Sequence, residues 1–211
     1  MPRVFPEYKE QAKQKIVKSA VSAFGKKGYD HTTMEDIAKE TGVSKSALYT
    51  YFQSKEDILA ELMKSGFETS DRLTLEEVLD ALLDESRDPT FVLAELYDII
   101  VKNPDVMRLS FEAVASATYN KKLRKVLRDD LESDVAKISA YVKRLVAQGK
   151  IKPEMDVRTF ALLFETLNFG LFAGICAGLD IEELQDVWIE STKLLAKTLG
   201  LDIRRTVVSK Q

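Results

Sequence analysis

One cysteine (Cys176) and one histidine (His31) are all that 211 residues hold of either type. Far apart in sequence, they cannot build a tetrahedral zinc site, and a lone cysteine closes no intrachain disulfide, which fits a reducing cytoplasm. The chain has no Gly-rich phosphate loop, no G-x-S-x-G elbow and no cluster of metal ligands, and its histidine belongs to no visible triad. No catalytic residue, metal or cofactor is therefore expected, and the chain does not read as an enzyme. The N-terminus, MPRVFPEYKEQAKQ, lacks a contiguous apolar run and a small-residue cleavage site, which reads against export. Only the stretch from Thr159 to Leu179 approaches the length of a membrane span. It carries Glu165 and Asn168 at its middle and Arg158 at its edge, so it reads as a helix buried on both faces, with no membrane partner.

Proline and glycine are scarce too, at five and nine residues. The long stretches between them carry apolar residues at spacings of three and four, which marks an all-α chain of about nine helices. With 45% hydrophobic residues it can bury a sizeable core. The net charge of −3 hides an asymmetry. Residues 1–55 hold ten Lys/Arg against six Asp/Glu, a net +4, while residues 56–211 hold 21 against 28, a net −7. The basic end reads as an anion-binding module, and the chain divides into domains 1–55 and 56–211.

Helix boundaries are legible at the basic end. A first helix spans about Glu7 to Lys27, with Ile16, Ala20, Ala23 and Phe24 on one stripe. Thr33 caps a second helix, Asp36 sits three residues on, and Gly42 closes it. Ser44 caps a third helix, Lys45 to Phe52, and Ser54 with Asp57 caps a fourth, about Lys55 to Ser70. Beyond these, helices are expected at about 75–86, 90–102, 104–118, 121–148, 156–178 and 181–199, with a frayed tail from Arg204.

The stretch from Thr33 to Lys55 is a helix, a tight turn and a short helix, the pattern of a helix-turn-helix. Ile37, Ala38, Val43, Leu48 and Phe52 are spaced to face a common core with Phe24. Lys45, Ser46, Tyr49, Thr50 and Tyr51 remain on the outer face: donors and stackers with no carboxylate among them. Tyrosine hydroxyls suit phosphate oxygens, and small residues can approach base edges. Taken alone, short amphipathic helices also pack this way without binding anything.

The segment closely resembles the DNA-binding domain of TetR-family transcriptional regulators. The resemblance rests on Ala20, Phe24 and Gly28, on Thr33 to Ala38, on Gly42 to Lys45, and on Leu48 to Phe52 followed by Ser54 to Glu56. It implies that Thr33, Lys45, Tyr49, Tyr51 and Lys55 touch phosphates of double-stranded DNA and that Ser44, Ser46, Ala47 and Thr50 lie nearest the bases. It further implies an N-terminal three-helix DNA-binding domain and a larger helical ligand-binding and dimerisation domain. The implied function is ligand-responsive repression: a homodimer binds a palindromic operator, and a small apolar or amphipathic effector releases it. A non-specific architectural DNA-binding protein is the competing reading, which the −7 charge of residues 56–211 disfavours.

Two further sets of residues follow. Gly170, Gly174 and Gly178 recur every fourth residue, and with Leu184, Trp188 and Leu195 they form the expected dimer interface. The same glycines would equally relieve crowding within one subunit. For the effector, a buried polar group among aromatics points to Tyr97, Phe111, Phe164, Glu165 and Asn168. Cys176, in an apolar helix, reads as buried packing, and His31 as a surface or capping residue.

Overall fold

A computed structural model describes residues 6–64, 75–84, 87–101 and 104–201. Among the described residues there are ten α-helices and no strand: α1 (Pro6–Lys27), α2 (Met34–Thr41), α3 (Lys45–Tyr49), α4 (Lys55–Lys64), α5 (Leu75–Leu83), α6 (Pro89–Val101), α7 (Pro104–Ala117), α8 (Lys121–Ala147), α9 (Val157–Cys176) and α10 (Ile181–Lys197). The expected extension of α4 to Ser70 and the frayed tail from Arg204 fall outside the described residues.

The caps act as the sequence implies. Thr33 Oγ1 accepts from Asp36 N while the Asp36 carboxylate accepts from Thr33 N, a reciprocal capping box worth about 1 kcal/mol. Gly42 ends α2 in the left-handed region (φ 76°, ψ 31°), where a Cβ would be strained. Val43 N donates to Ala38 O at 3.0 Å and Gly42 N to Lys39 O at 3.2 Å, closing a Schellman motif. The helix expected from Lys45 to Phe52 ends sooner, at Tyr49. Tyr51 N and Phe52 N both return to Leu48 O, and this tighter turn carries Phe52 into the core at 4% exposure.

The chain separates into two compact units that interleave in sequence: residues 1–69 with 104–130, and residues 70–103 with 131–211. Each has its own core. In the first, Ile16, Ala20, Ala23 and Phe24 of α1 meet Ile37 and Ala38 of α2, Leu48 of α3, Ile58, Leu59 and Leu62 of α4, and Leu109 and Ala113 of α7. Burying each large side chain contributes about 1.5–3 kcal/mol. In the second, α5, α6, the later part of α8, α9 and α10 enclose Leu79, Leu93, Tyr97, Val142, Phe160, Trp188 and Leu199.

Helix α9 corrects an expectation. It is long and apolar enough to cross a membrane by length and composition, and it was expected to be buried on both faces. Instead Phe160, Ala161, Phe164, Leu171 and Gly174 face the core of the second unit, while Leu162, Leu163 and Phe169 are exposed. Cys176, in its last turn, is also exposed rather than buried.

Candidate nucleic-acid interface

Positive charge near the N-terminus is divided between holding the fold and facing solvent. Lys27, in the last turn of α1, donates to Asp36, and Lys26 donates to Glu40 Oε1 at 2.6 Å. The Lys27 ammonium, then the Thr33 hydroxyl, holds the Asp36 carboxyl well below the usual carboxylate range, and Lys26 with Ser22 lowers Glu40. These pairs fix α2 across α1.

Helix α3 is pinned by Leu48, which is fully buried, and capped by Ser44, whose Oγ accepts from Ala47 N at 3.2 Å. That fixes its outer face. Ser44, Lys45, Ser46, Tyr49 and Thr50 are exposed, and Ala47 is half-buried. Thr33 is exposed beside them at the start of α2, its hydroxyl shared with Asp36. Although α3 carries no carboxylate, Glu35 of α2 reaches Lys45, with Nζ 3.4 Å from Oε2. Both side chains are exposed, so the pair is worth at most about 1 kcal/mol and yields readily to a phosphate.

Of the two remaining expected contacts, one is corrected. Tyr51 is half-buried and packs against the first core. Lys55 turns inward: its Nζ donates to the carbonyls of Tyr29 (2.6 Å), Asp30 (3.0 Å) and Thr32 (3.2 Å) and stands 4.4 Å from the Tyr29 ring centroid. Three carbonyls exhaust the three N–H donors of an ammonium, so the side chain is a brace for the α1–α2 connection and not a phosphate ligand. Burial lowers its pKa, opposed by Asp30 and Glu56.

Sequence reasoning missed the residues that hold this module from behind. From α7, Arg108 Nη2 donates to Gly25 O at 2.5 Å, Glu112 accepts from Tyr29 N, and Ser116 Oγ donates to Asp30 Oδ1 at 2.7 Å. Asn120 Nδ2 donates to Glu56 Oε1 at 2.9 Å, and Lys122 Nζ reaches Asp57 Oδ1 and Ser54 Oγ, each at 2.7 Å. All lie more than sixty positions from their partners, so no local pattern could reveal them. His31 is exposed before α2.

In the second unit, Phe164 lines a small cavity with Val78, Leu79 and Leu82 of α5, Phe160 of α9, and Thr192, Leu195 and Ala196 of α10. The other effector candidates are occupied differently. Tyr97 is buried and its hydroxyl donates to Ile181 O at 2.8 Å. Asn168 ties α9 to α10: its Nδ2 donates to Phe164 O and its Oδ1 accepts from Trp188 Nε1 at 3.2 Å. Glu165 is half-buried on α9, and Phe111 is half-buried in the first unit.

Part of the expected dimer stripe packs within its own chain. A Cβ on Gly174 would stand 2.9 Å from Leu184 Cδ2 of the same chain, so this glycine serves the close crossing of α9 and α10. Gly178 (φ +79°) follows the end of α9. Trp188 is buried, and Leu184 and Leu195 pack against the second core. Gly170 and the exposed Gly178 both face open space, Gly170 beside the exposed Phe169. On α10 the outward apolar residues are Ile181, Val187 and Leu194.

Comparison with known proteins agrees with this geometry. Residues 16–62 match the profile of the bacterial regulatory proteins of the tetR family. The chain is similar along 94% of its length to an uncharacterized HTH-type transcriptional regulator, YfiR of Bacillus subtilis, with 27% identity and 96% of that protein covered. Over 56 residues it is 43% identical to IcaR of Staphylococcus aureus, the HTH-type negative transcriptional regulator of the biofilm operon icaADBC, a match covering 26% of this chain and 30% of IcaR. In fold it resembles the transcriptional regulator FadR of Bacillus subtilis in complex with stearoyl-CoA (TM-score 0.61, 20% identity, 87% of this chain and 97% of that one).

Proposed function

Because the chain belongs to the tetR family of bacterial regulatory proteins and is a DNA-binding transcriptional regulator rather than an enzyme, we propose that it is a ligand-responsive repressor. It binds a palindromic operator in the cytoplasm as a homodimer, and a small apolar or amphipathic effector releases it. The observation that carries this reading is the outer face of α3, where Lys45, Ser46, Tyr49 and Thr50 stand exposed on a helix pinned by the buried Leu48. Lys45 and Tyr49, with Thr33, are assigned to phosphates, and Ser44, Ser46, Ala47 and Thr50 to the base edges. Small residues at those positions offer few bidentate contacts, so part of the specificity is read from DNA shape.

Residues 1–55 read DNA, and residues 56–211 sense the effector and dimerise. One helix-turn-helix buries too little surface for tight selective binding, which is why such modules act in symmetric pairs. The dimer face is assigned to the outward residues of α9 and α10: Leu162, Leu163, Phe169, Gly170, Val187 and Leu194. Repression is supported by IcaR, a negative regulator, and effector control by FadR, which binds stearoyl-CoA.

The test is a comparison of affinity for a palindrome from the protein's own promoter with affinity for random duplex at one salt concentration. A large preference supports the regulator; equal affinity supports the architectural binder.

A further inference from the structure

Threonine hydroxyls inside helices normally donate back to a carbonyl one turn earlier. This chain follows that habit at Thr41, whose Oγ1 donates to Ile37 O at 2.7 Å, and at Thr166, whose Oγ1 donates to Leu162 O at 2.8 Å. Thr192 of α10 breaks it. Its residue is 3% exposed, its Oγ1 has no hydrogen-bond partner, and it lines the cavity between α5, α9 and α10. An unmet buried hydroxyl is costly, and here it is the single polar side chain among Val78, Leu82, Phe160, Phe164 and Leu195.

We propose that this cavity is the effector site and that it takes a neutral apolar molecule bearing one hydrogen-bonding oxygen, an alcohol or ketone, held at Thr192 Oγ1. The inference rests on the effector reading above and narrows it. Water fits the cavity poorly, because a buried water needs at least two polar partners and the described side chains here supply one. A charged group fits worse. Among the described residues, no ionisable side chain lines the walls to compensate its desolvation. In this conformation the cavity measures about 10 Å³, space for about one water. A ligand of several carbons must therefore displace side chains, and Leu195, which is half-buried, borders the cavity.

Isothermal titration of the full chain with 1-hexanol and with hexanoate tests this. Saturable binding of 1-hexanol is expected, with hexanoate at least about tenfold weaker. Thr192→Val keeps the shape and removes the hydroxyl, and should weaken 1-hexanol about five- to tenfold. Thr192→Ser keeps the hydroxyl and should bind like the parent. No saturable binding of 1-hexanol to the parent, or equal affinity in the parent and Thr192→Val, would overturn the site. Adding 1-hexanol to the protein on its operator should release the DNA. Binding without release would overturn the effector role of this cavity. A regulator released by some other molecule, with no alkanol bound, would lose this site and keep the function proposed above.

Discussion

Lys45 holds its ammonium 3.4 Å from Glu35 with most of its side chain in solvent, whereas Lys55 commits its ammonium to the carbonyls of Tyr29, Asp30 and Thr32. The same residue type thus performs two jobs that two measurements separate. Lys45→Ala should lower the slope of log K against log salt by about one, because one phosphate contact releases about one counterion. Lys55→Met should leave that slope unchanged and instead cost about 1–3 kcal/mol of stability, read by urea unfolding, since it strands partly buried carbonyls. Tyr49→Phe should weaken binding to every duplex about equally, by about two- to tenfold, as loss of a positioning contact does. A changed sequence preference would reassign Tyr49 to the bases. Nothing in the local sequence distinguishes Lys55 from a phosphate ligand, because its role depends on Tyr29 and Thr32 being folded beneath it.

Helix α2 shows how an element is fixed by charge as well as by apolar contact. Asp36 and Glu40 carry lowered pKa values through Lys27 and Lys26. A carboxyl whose folded pKa is depressed adds stability above its unfolded pKa of about 4, and that stability is lost as pH falls through the folded value. Asp36→Asn should therefore be less stable than the parent at pH 6, with the gap closing toward pH 2; a gap independent of pH would show that the pairing contributes nothing. The boundaries of α2 were legible because Thr33, Asp36 and Gly42 are local signals. The orientation of α9 was not. Its sequence is apolar on nearly every side, so periodicity could not tell the face toward Phe160 from the face bearing Leu162 and Phe169. The glycine spacing is ambiguous for the same reason, since close approach to one's own chain, as of Gly174 to Leu184, and close approach to a partner leave the same pattern. Gly174→Leu should lower the melting temperature by clashing with Leu184, whereas Leu194→Glu, at a 63% exposed position, should leave the fold intact and give a monomer by light scattering.

At the scale of the whole chain, two cores are assembled from interleaved stretches, with α7 and the start of α8 returning to the helix-turn-helix. That return, through Glu112, Ser116, Asn120 and Lys122, is long-range chemistry that no motif announces, although the motif itself agrees with the family profile that residues 16–62 match. A dimer reads two half-sites only when its recognition helices stand about 34–36 Å apart, one turn of duplex. Effector control needs only a small change in that separation, and linkage makes it reciprocal: DNA must weaken the effector by the factor by which the effector weakens DNA. All of this presupposes sequence-specific recognition by α3. Its most direct test is a titration of labelled promoter palindrome against random duplex at fixed salt, followed by fluorescence anisotropy. The palindrome should bind at least about a thousandfold more tightly, with two chains per duplex, and Tyr49→Phe should weaken both. Equal affinity for the two duplexes would contradict sequence-specific recognition.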